Sequence, residues 1–237
     1  MITTSTGEWT TAPLVALDLE GSGPQDGDDE AILEIAVVPI TAGQPDTASA
    51  YTTLINPGRA IPRKPWISPG LTTAVLATAP TPAEVEPELA RRINEHIIVG
   101  HNVGVDWRLL HRRHPAITPT ALIDTLRLAR HLKLGTKNSL RALTDHLGLT
   151  PQIERLAPGS QPHRAVWDTI ATALLLSALV AKAWPVSATL ADLLSIAAID
   201  QAAPSQARAR KPGVQESLFD PATSLAAPRT TDASDPT

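Results

Sequence analysis

Leu14-Val15-Ala16-Leu17-Asp18-Leu19-Glu20 constrains this chain more than any other stretch, because four apolar residues run straight into two carboxylates spaced i, i+2. The apolar run predicts a buried β-strand. Successive strand side chains point to opposite faces, so Asp18 and Glu20 share one face at the strand's end. Two carboxylates held that close repel each other unless a cation sits between them. An all-oxygen pair of this kind suits a hard divalent ion such as Mg²⁺ or Mn²⁺. The alternative is a strand end running into a polar loop with both acids solvated, which an Asp-x-Glu alone leaves open.

The rest of the chain builds a sheet around that strand. Gly21-Ser22-Gly23-Pro24 reads as a turn, and the acid-rich Asp26 to Glu30 as a solvated hairpin tip. Ala31 to Ile40 predicts a second strand and Ser49 to Ile55 a third, closed by Asn56-Pro57-Gly58. Together they make an antiparallel three-strand meander. A long proline-rich connection from Ile61 to Pro82 holds one short helix near Leu71–Leu76. Helices follow over Pro82–Glu95, capped by Thr81, and Val105–Arg113. Asp124 caps a helix through His131, Asn138 one through His146, and Arg164–Ala183 is a largely buried helix. His96–Gly100 and Ala121–Ile123 are short strands between them. Strands first, then alternating helices and strands, predict an α/β fold: a mixed sheet with helices on both faces.

Residues 1–12 read as a disordered N-terminus, 13–184 as the domain, 185–201 as an accessory helix and 202–237 as a disordered tail. Without cysteine, disulfides and thiolate chemistry are excluded. No apolar run reaches the about 20 residues that cross a bilayer, and Met1 to Thr11 lacks targeting features, so the expected location is cytoplasmic, off the membrane. The net charge of −4 hides a basic stripe: eight Lys/Arg against one acid between Trp107 and Arg141. Beside an acidic metal site such a stripe suits a phosphodiester substrate; two helices with solvated basic faces would give the same count.

Two further constellations lie downstream. Gly100-His101-Asn102-Val103-Gly104-Val105-Asp106 ends a strand and starts a helix, placing Asp106 in the helix's first turn. There it either meets Asp18 and Glu20 or compensates the helix dipole. His163 and Asp168 stand five apart, with Asp168 on a buried helix where an unpaired carboxylate is costly. His163 follows a Pro/Gly-rich loop, and an imidazole suits taking a proton from water; a lone histidine there is otherwise a surface or hydrogen-bonded residue.

Asp18-Leu19-Glu20, His101-Asn102-x-x-x-Asp106 and His163-x-x-x-x-Asp168, in that order, resemble the DEDDh (DnaQ-like) 3′→5′ exonucleases. The resemblance covers about residues 13–184 and includes Ile32-Leu33-Glu34-Ile35, Asn56-Pro57-Gly58 and Asp124-Thr125-Leu126. It implies an RNase H-like fold. It also implies that Asp18, Glu20, Asp106 and Asp168 bind two Mg²⁺ or Mn²⁺ ions and that His163 is the general base. Gly21, Ser22, Gly23, His101 and Asn102 would then line the terminal nucleotide. A sister group has a tyrosine where this chain has Arg164. The chain departs from the family's usual Thr-Thr-Gly at Gly21-Ser22-Gly23, from its His-Gly at Pro69-Gly70, and from its aromatic at Val105; Trp66 and Trp107 are candidate substitutes for base stacking, with core packing the expected role of Trp107.

In the tail, Gln215-Glu216-Ser217-Leu218-Phe219 resembles the short motif that docks bacterial replication proteins on the sliding clamp, with Gln215, Leu218 and Phe219 as its anchors. A C-terminal extension of this family also binds a DNA polymerase subunit. The leading expectation is an exonuclease on DNA 3′ ends in proofreading or repair. One alternative keeps the chemistry and takes RNA or short oligoribonucleotides; the other is a non-catalytic clamp or polymerase interaction subunit.

Overall fold

The acidic strand is β1 (Leu14–Gly21) in a computed structural model that describes residues 7–135 and 137–201. β2 (Ile32–Thr41) runs antiparallel to it and sets Glu20 opposite Glu34. The two-residue β3 (Gln44–Pro45) folds back on the end of β2, and β4 (Tyr51–Leu54) pairs along its start, which completes the expected meander. β5 (Ile97–Gly100) lies parallel to β1, and β6 (Ala121–Asp124) parallel to β5. β7 (Ala198–Ile199) closes the far edge antiparallel to β6, giving a seven-stranded mixed sheet. The parallel trio β1, β5 and β6 therefore ends along one edge, and the acids of β1 emerge there.

Among the described residues eight helices cover the sheet: α1 (Thr73–Leu76), α2 (Pro82–Ile93), α3 (Gly104–Arg113), α4 (Thr125–Leu132), α5 (Leu140–His146), α6 (Thr150–Leu156), α7 (Ala165–Ala183) and α8 (Leu190–Ala197). The alternation of β1 sorts them. Leu14 and Ala16 pack with Leu175, Leu176 and Leu179 of α7 and Leu193 of α8, whereas Val15 and Leu17 pack with Leu89 of α2 and Leu110 of α3. Asp18 and Glu20 continue the parity of Leu14 and Ala16, so the carboxylates face α7. Helix α7 is long and apolar enough to cross a membrane, with mean hydropathy 1.5, but 67% of that stretch is buried inside the fold. Its apolar surface is explained by packing.

Several local readings are corrected. Within Asp26 to Glu30, Gly27, Asp28 and Asp29 are exposed as a solvated tip would be, but Glu30 is buried and its carboxylate pairs with Arg108 of α3 at 2.7 Å. Residues 7–12 are ordered rather than disordered: Trp9 is buried, and its N–H donates to the Ala188 carbonyl. Residues 1–6 lie outside the described residues. The cap of α5 is Ser139, whose hydroxyl accepts from the Ala142 amide, and not Asn138. Helix α6 and strand β7 were not foreseen. β7 has only two residues and is strand solely because β6 offers an open edge.

Candidate active site

Oxygens of Asp18, Glu20 and Asp168 lie within 4.8 Å of one another, so β1 and the first turn of α7 bring together three of the expected ligands. Asp106, in the first turn of α3, stands beside this trio and outside that radius. Burial raises its carboxyl, and its own backbone amide and that of Leu19, in the middle of the acidic motif, offset part of that rise. Burial pushes all four carboxyls upward. Glu20 rises to about 8, and Asp106 and Asp168 each to about 7. Asp18 is raised well above the ordinary range, first by burial and then by the charges of Asp106, Asp168 and Glu20.

The buried Asp18 Oδ2 has no hydrogen-bond partner among the described residues. A buried carboxylate oxygen left without a donor is costly. Converging, desolvated, mutually repelling oxygens are the donor set of a hard divalent cation, so the residues present fit such an ion.

One side chain that sequence reading missed tightens this floor. Ser68, buried in the proline-rich connection, donates to Glu20 Oε2 at 2.5 Å and counters part of the rise in the Glu20 carboxyl. Nothing in its surroundings marks a lone serine 48 positions downstream.

His163 precedes α7 with φ 66°, a left-handed conformation unfavourable for a residue with a Cβ. Two anchors hold it there. Its N–H donates to Asp168 Oδ2 at 3.0 Å, and the next residue, Arg164, makes a two-pronged pair with the buried Glu34 of β2, both bonds 2.8 Å. Burial, and then the charge of Arg141, depress the His163 imidazole, which favours the neutral, proton-accepting form.

The expected substrate-lining residues divide. Ser22 is buried, and its hydroxyl accepts from the Ala31 amide and from Arg59, so its side chain serves the fold. Gly23 has φ 101°, and any Cβ there would collide with the Trp66 indole, whose Nε1 donates to the Ser22 carbonyl at 3.1 Å. Gly21 sits against Leu109, where a Cβ would be tight at 3.1 Å. His101 is engaged through both ring nitrogens: Nε2 lies 2.9 Å from the Asn138 carbonyl and Nδ1 2.9 Å from the Thr125 hydroxyl. It braces the strand end and has no ring nitrogen left for a nucleotide. Asn102 keeps an exposed side chain while its N–H donates to Asp124 Oδ1, which also caps α4. Trp107 is buried and donates to the Gln201 carbonyl, so it packs and does not stack on a base. Gln215, Leu218 and Phe219 lie outside the described residues, as does the tail expected to be disordered.

The family model for exonucleases matches residues 15–176, a span that contains all four carboxylates and His163. The chain belongs to the exonuclease family. Over 165 residues, 67% of the chain, it is 35% identical to a DNA polymerase III subunit epsilon-like protein of Rhodobacter capsulatus. Exodeoxyribonuclease 10 of Escherichia coli is 32% identical over 160 residues, 68% of this chain and 65% of that protein. Among solved structures, exonuclease X in complex with 5′ overhanging duplex DNA superimposes with a TM-score of 0.55 at 29% identity, over 76% of this chain and 98% of that one. The chain spans only 22% of the length of the R. capsulatus relative, and 11% of that of two Thermotoga proteins named DNA polymerase III PolC-type. The matches are consistent with the DnaQ-like branch of that family, and the mixed sheet is the RNase H-like fold of its structural neighbours.

Proposed function

We propose that the chain is a metal-dependent 3′→5′ exonuclease of the DEDDh subtype, releasing nucleoside 5′-monophosphates from DNA 3′ ends. The observation that carries this reading is the convergence of Asp18, Glu20 and Asp168 within 4.8 Å of one another, with Asp106 beside them and Asp18 Oδ2 buried without a hydrogen-bond partner among the described residues. These four carboxylates would hold two Mg²⁺ or Mn²⁺ ions. Such ions, when bound, supply Lewis acidity at a phosphoryl group and lower the pKa of water.

The chain's own residues supply the rest. Asp168 orients the His163 backbone through its amide and belongs to the cluster that meets the phosphate, so base and floor share one anchor. The His163 imidazole, kept neutral by burial, takes the proton of the attacking water as the water's oxygen bonds to phosphorus. The bond to the 3′-oxygen breaks, that oxygen keeps the electron pair and takes a proton from water to become the strand's new 3′-hydroxyl, and the terminal nucleotide leaves with a 5′-phosphate. DNA is favoured over RNA because the names of similar proteins, an exodeoxyribonuclease and an exonuclease bound to duplex DNA, point that way.

Mononucleotide release from matched 5′-labelled DNA and RNA oligomers with Mg²⁺ or Mn²⁺ tests the reading, with Asp18→Ala and His163→Ala alongside. Stepwise shortening of DNA from its 3′ end, lost in both variants, is expected. Preference for RNA would move the protein to RNA turnover; no cleavage of either would leave the interaction-subunit alternative. Docking of a clamp or a polymerase subunit through Gln215, Leu218 and Phe219, and a cytoplasmic location, belong to the same proposal. Pull-down of the clamp by the full chain but not by a Leu218→Ala/Phe219→Ala chain tests the docking.

A further inference from the structure

The eight basic residues between Trp107 and Arg141 do not act as one stripe. Those of α3 are engaged inside the fold. Arg108 pairs with Glu30 at 2.7 and 3.2 Å, Arg112 donates to the Gly27 carbonyl at 2.8 Å, and Arg113 donates to the carbonyls of Glu30 and Asp28. Arg127 on α4 is likewise turned to the Ala198 carbonyl of β7. Arg130, Lys133 and Lys137 are different. All three are exposed, and among the described residues they make no hydrogen bond or ion pair. Arg141 makes a single exposed pair with Asp145 four residues on, the kind that water and salt weaken most.

Arg130, Lys137 and Arg141 stand next to the site rather than on a remote face, and Lys133 ends the helix that carries Arg130. The Asn138 carbonyl, one residue after Lys137, holds His101 at the end of β5, so the segment joining α4 to α5 returns to the edge where the carboxylates emerge. Arg130 is close enough to His101, and Arg141 to His163, for each charge to help depress the imidazole, after the larger effect of burial. A polyanion whose end must enter a cluster of four carboxylates is repelled there, and fixed cations along its approach offset that repulsion.

We propose that Arg130, Lys133, Lys137 and Arg141 form the track on which the backbone phosphates of the substrate strand lie as it leads into the carboxylate cluster, and that the arginines of α3 take no part. The proposal rests on the exonuclease reading for its substrate class. It reads phosphates, so the track holds DNA and RNA strands alike.

The test is binding rather than cleavage. Fluorescence anisotropy of a labelled single strand of about 20 nucleotides, DNA and RNA in separate arms, is followed in EDTA across a salt series. Each lost phosphate contact lowers the slope of log K against log salt by roughly 0.7 for a single strand. The Arg130→Ala/Lys133→Ala/Lys137→Ala protein should therefore lose about 2 from that slope, and about tenfold or more in affinity near 0.1 M salt, in both arms. Arg112→Ala should keep the wild-type slope. Matching thermal melts exclude unfolding as the cause. An unchanged slope in the triple variant, a fall in Arg112→Ala, or a loss confined to one sugar would overturn the track. Wild-type binding with the full slope but no nucleotide release in Mg²⁺ would instead sink the exonuclease reading and leave the track standing.

Discussion

The floor of the site and its histidine are held in place by different means. The floor is built from regular structure: Asp18 and Glu20 on a strand that is buried up to Leu17, Asp106 and Asp168 in the first turns of two helices. Backbone geometry aims these carboxylates, and burial leaves them little else to contact. His163 sits in a loop, in a left-handed conformation that strand or helix would never impose. A conformation of that kind persists only where its surroundings over-determine it. Here the surroundings are the Asp168 carboxylate on one side and the Arg164–Glu34 pair on the other. The floor should therefore tolerate changes around it, and the histidine should not.

The largest effects are expected where each half is attacked directly. His163→Ala should lower kcat by the about 10²–10⁴-fold that a positioned base contributes, with KM little changed. Asp18→Asn should cost more than that, because it replaces a buried, unpartnered carboxylate oxygen of the cluster with an amide. Nucleotide release measured at saturating Mg²⁺ orders the two. Equal and small losses would mean that neither half does what its geometry suggests.

The next prediction separates placement from chemistry. Removing Arg164 alone leaves Glu34 as an unpaired buried charge, which destabilises the fold whatever the clamp does. Glu34→Gln/Arg164→Met removes both charges together and is the cleaner variant. Misplacing the base by about 1 Å costs on the order of 10²-fold. The double variant should fall by that amount in kcat at unchanged KM, and the same changes should cost nothing more in a His163→Ala background. Faster hydrogen exchange of the His163 amide, followed in metal-free protein, reads the same clamp without activity. An additive loss would assign Arg164 a role of its own.

Much of the floor was legible in the sequence, and little of the clamp was. Residue parity along one strand puts Asp18 beside Glu20, and spacing within short motifs puts Asp106 and Asp168 at helix starts. Such relations are local, so they survive without knowledge of the fold. The partners that fix the site are not local: Ser68 lies 48 residues from Glu20, Arg108 lies 78 from Glu30, and Arg164 lies 130 from Glu34. For the same reason the basic stripe was counted correctly and read too broadly. Charge is a property of sequence, but whether an arginine is free depends on what the fold brings opposite it. Strand β7 was hidden because two residues carry no periodicity.

A smaller effect is expected where the floor receives outside help. Ser68→Ala removes the only side-chain hydrogen bond among the described residues that restrains Glu20. Partners of that kind are worth about 10–100-fold in metal affinity. Because regular structure already aims Glu20, the loss should sit near tenfold, read as Mn²⁺ affinity by calorimetry, and Ser68→Thr should restore it. A loss as large as that of Glu20→Ala would show that the serine, and not the strand, places the carboxylate.

The mildest prediction concerns stability without metal. Folded Glu20, Asp106 and Asp168 hold their protons to about 8, 7 and 7, whereas carboxyls in the unfolded chain release theirs near ordinary values of 4.5, 3.8 and 3.8. Between those limits the folded state binds more protons than the unfolded one, so stability is fully present below about pH 4 and is lost as pH rises through about 7 to 8. In EDTA the melting temperature should accordingly fall by several degrees between about pH 5.5 and pH 8.5, and Mg²⁺ or Mn²⁺ should remove most of the fall. His163 works in the opposite direction: its lowered imidazole favours the folded state above the ordinary histidine range, so His163→Ala should steepen the fall slightly. A melting temperature flat across this range in EDTA would mean that the carboxylates are ionised and balanced by something other than a metal, and the contrast between a self-repelling floor and a clamped histidine would fail at its first term.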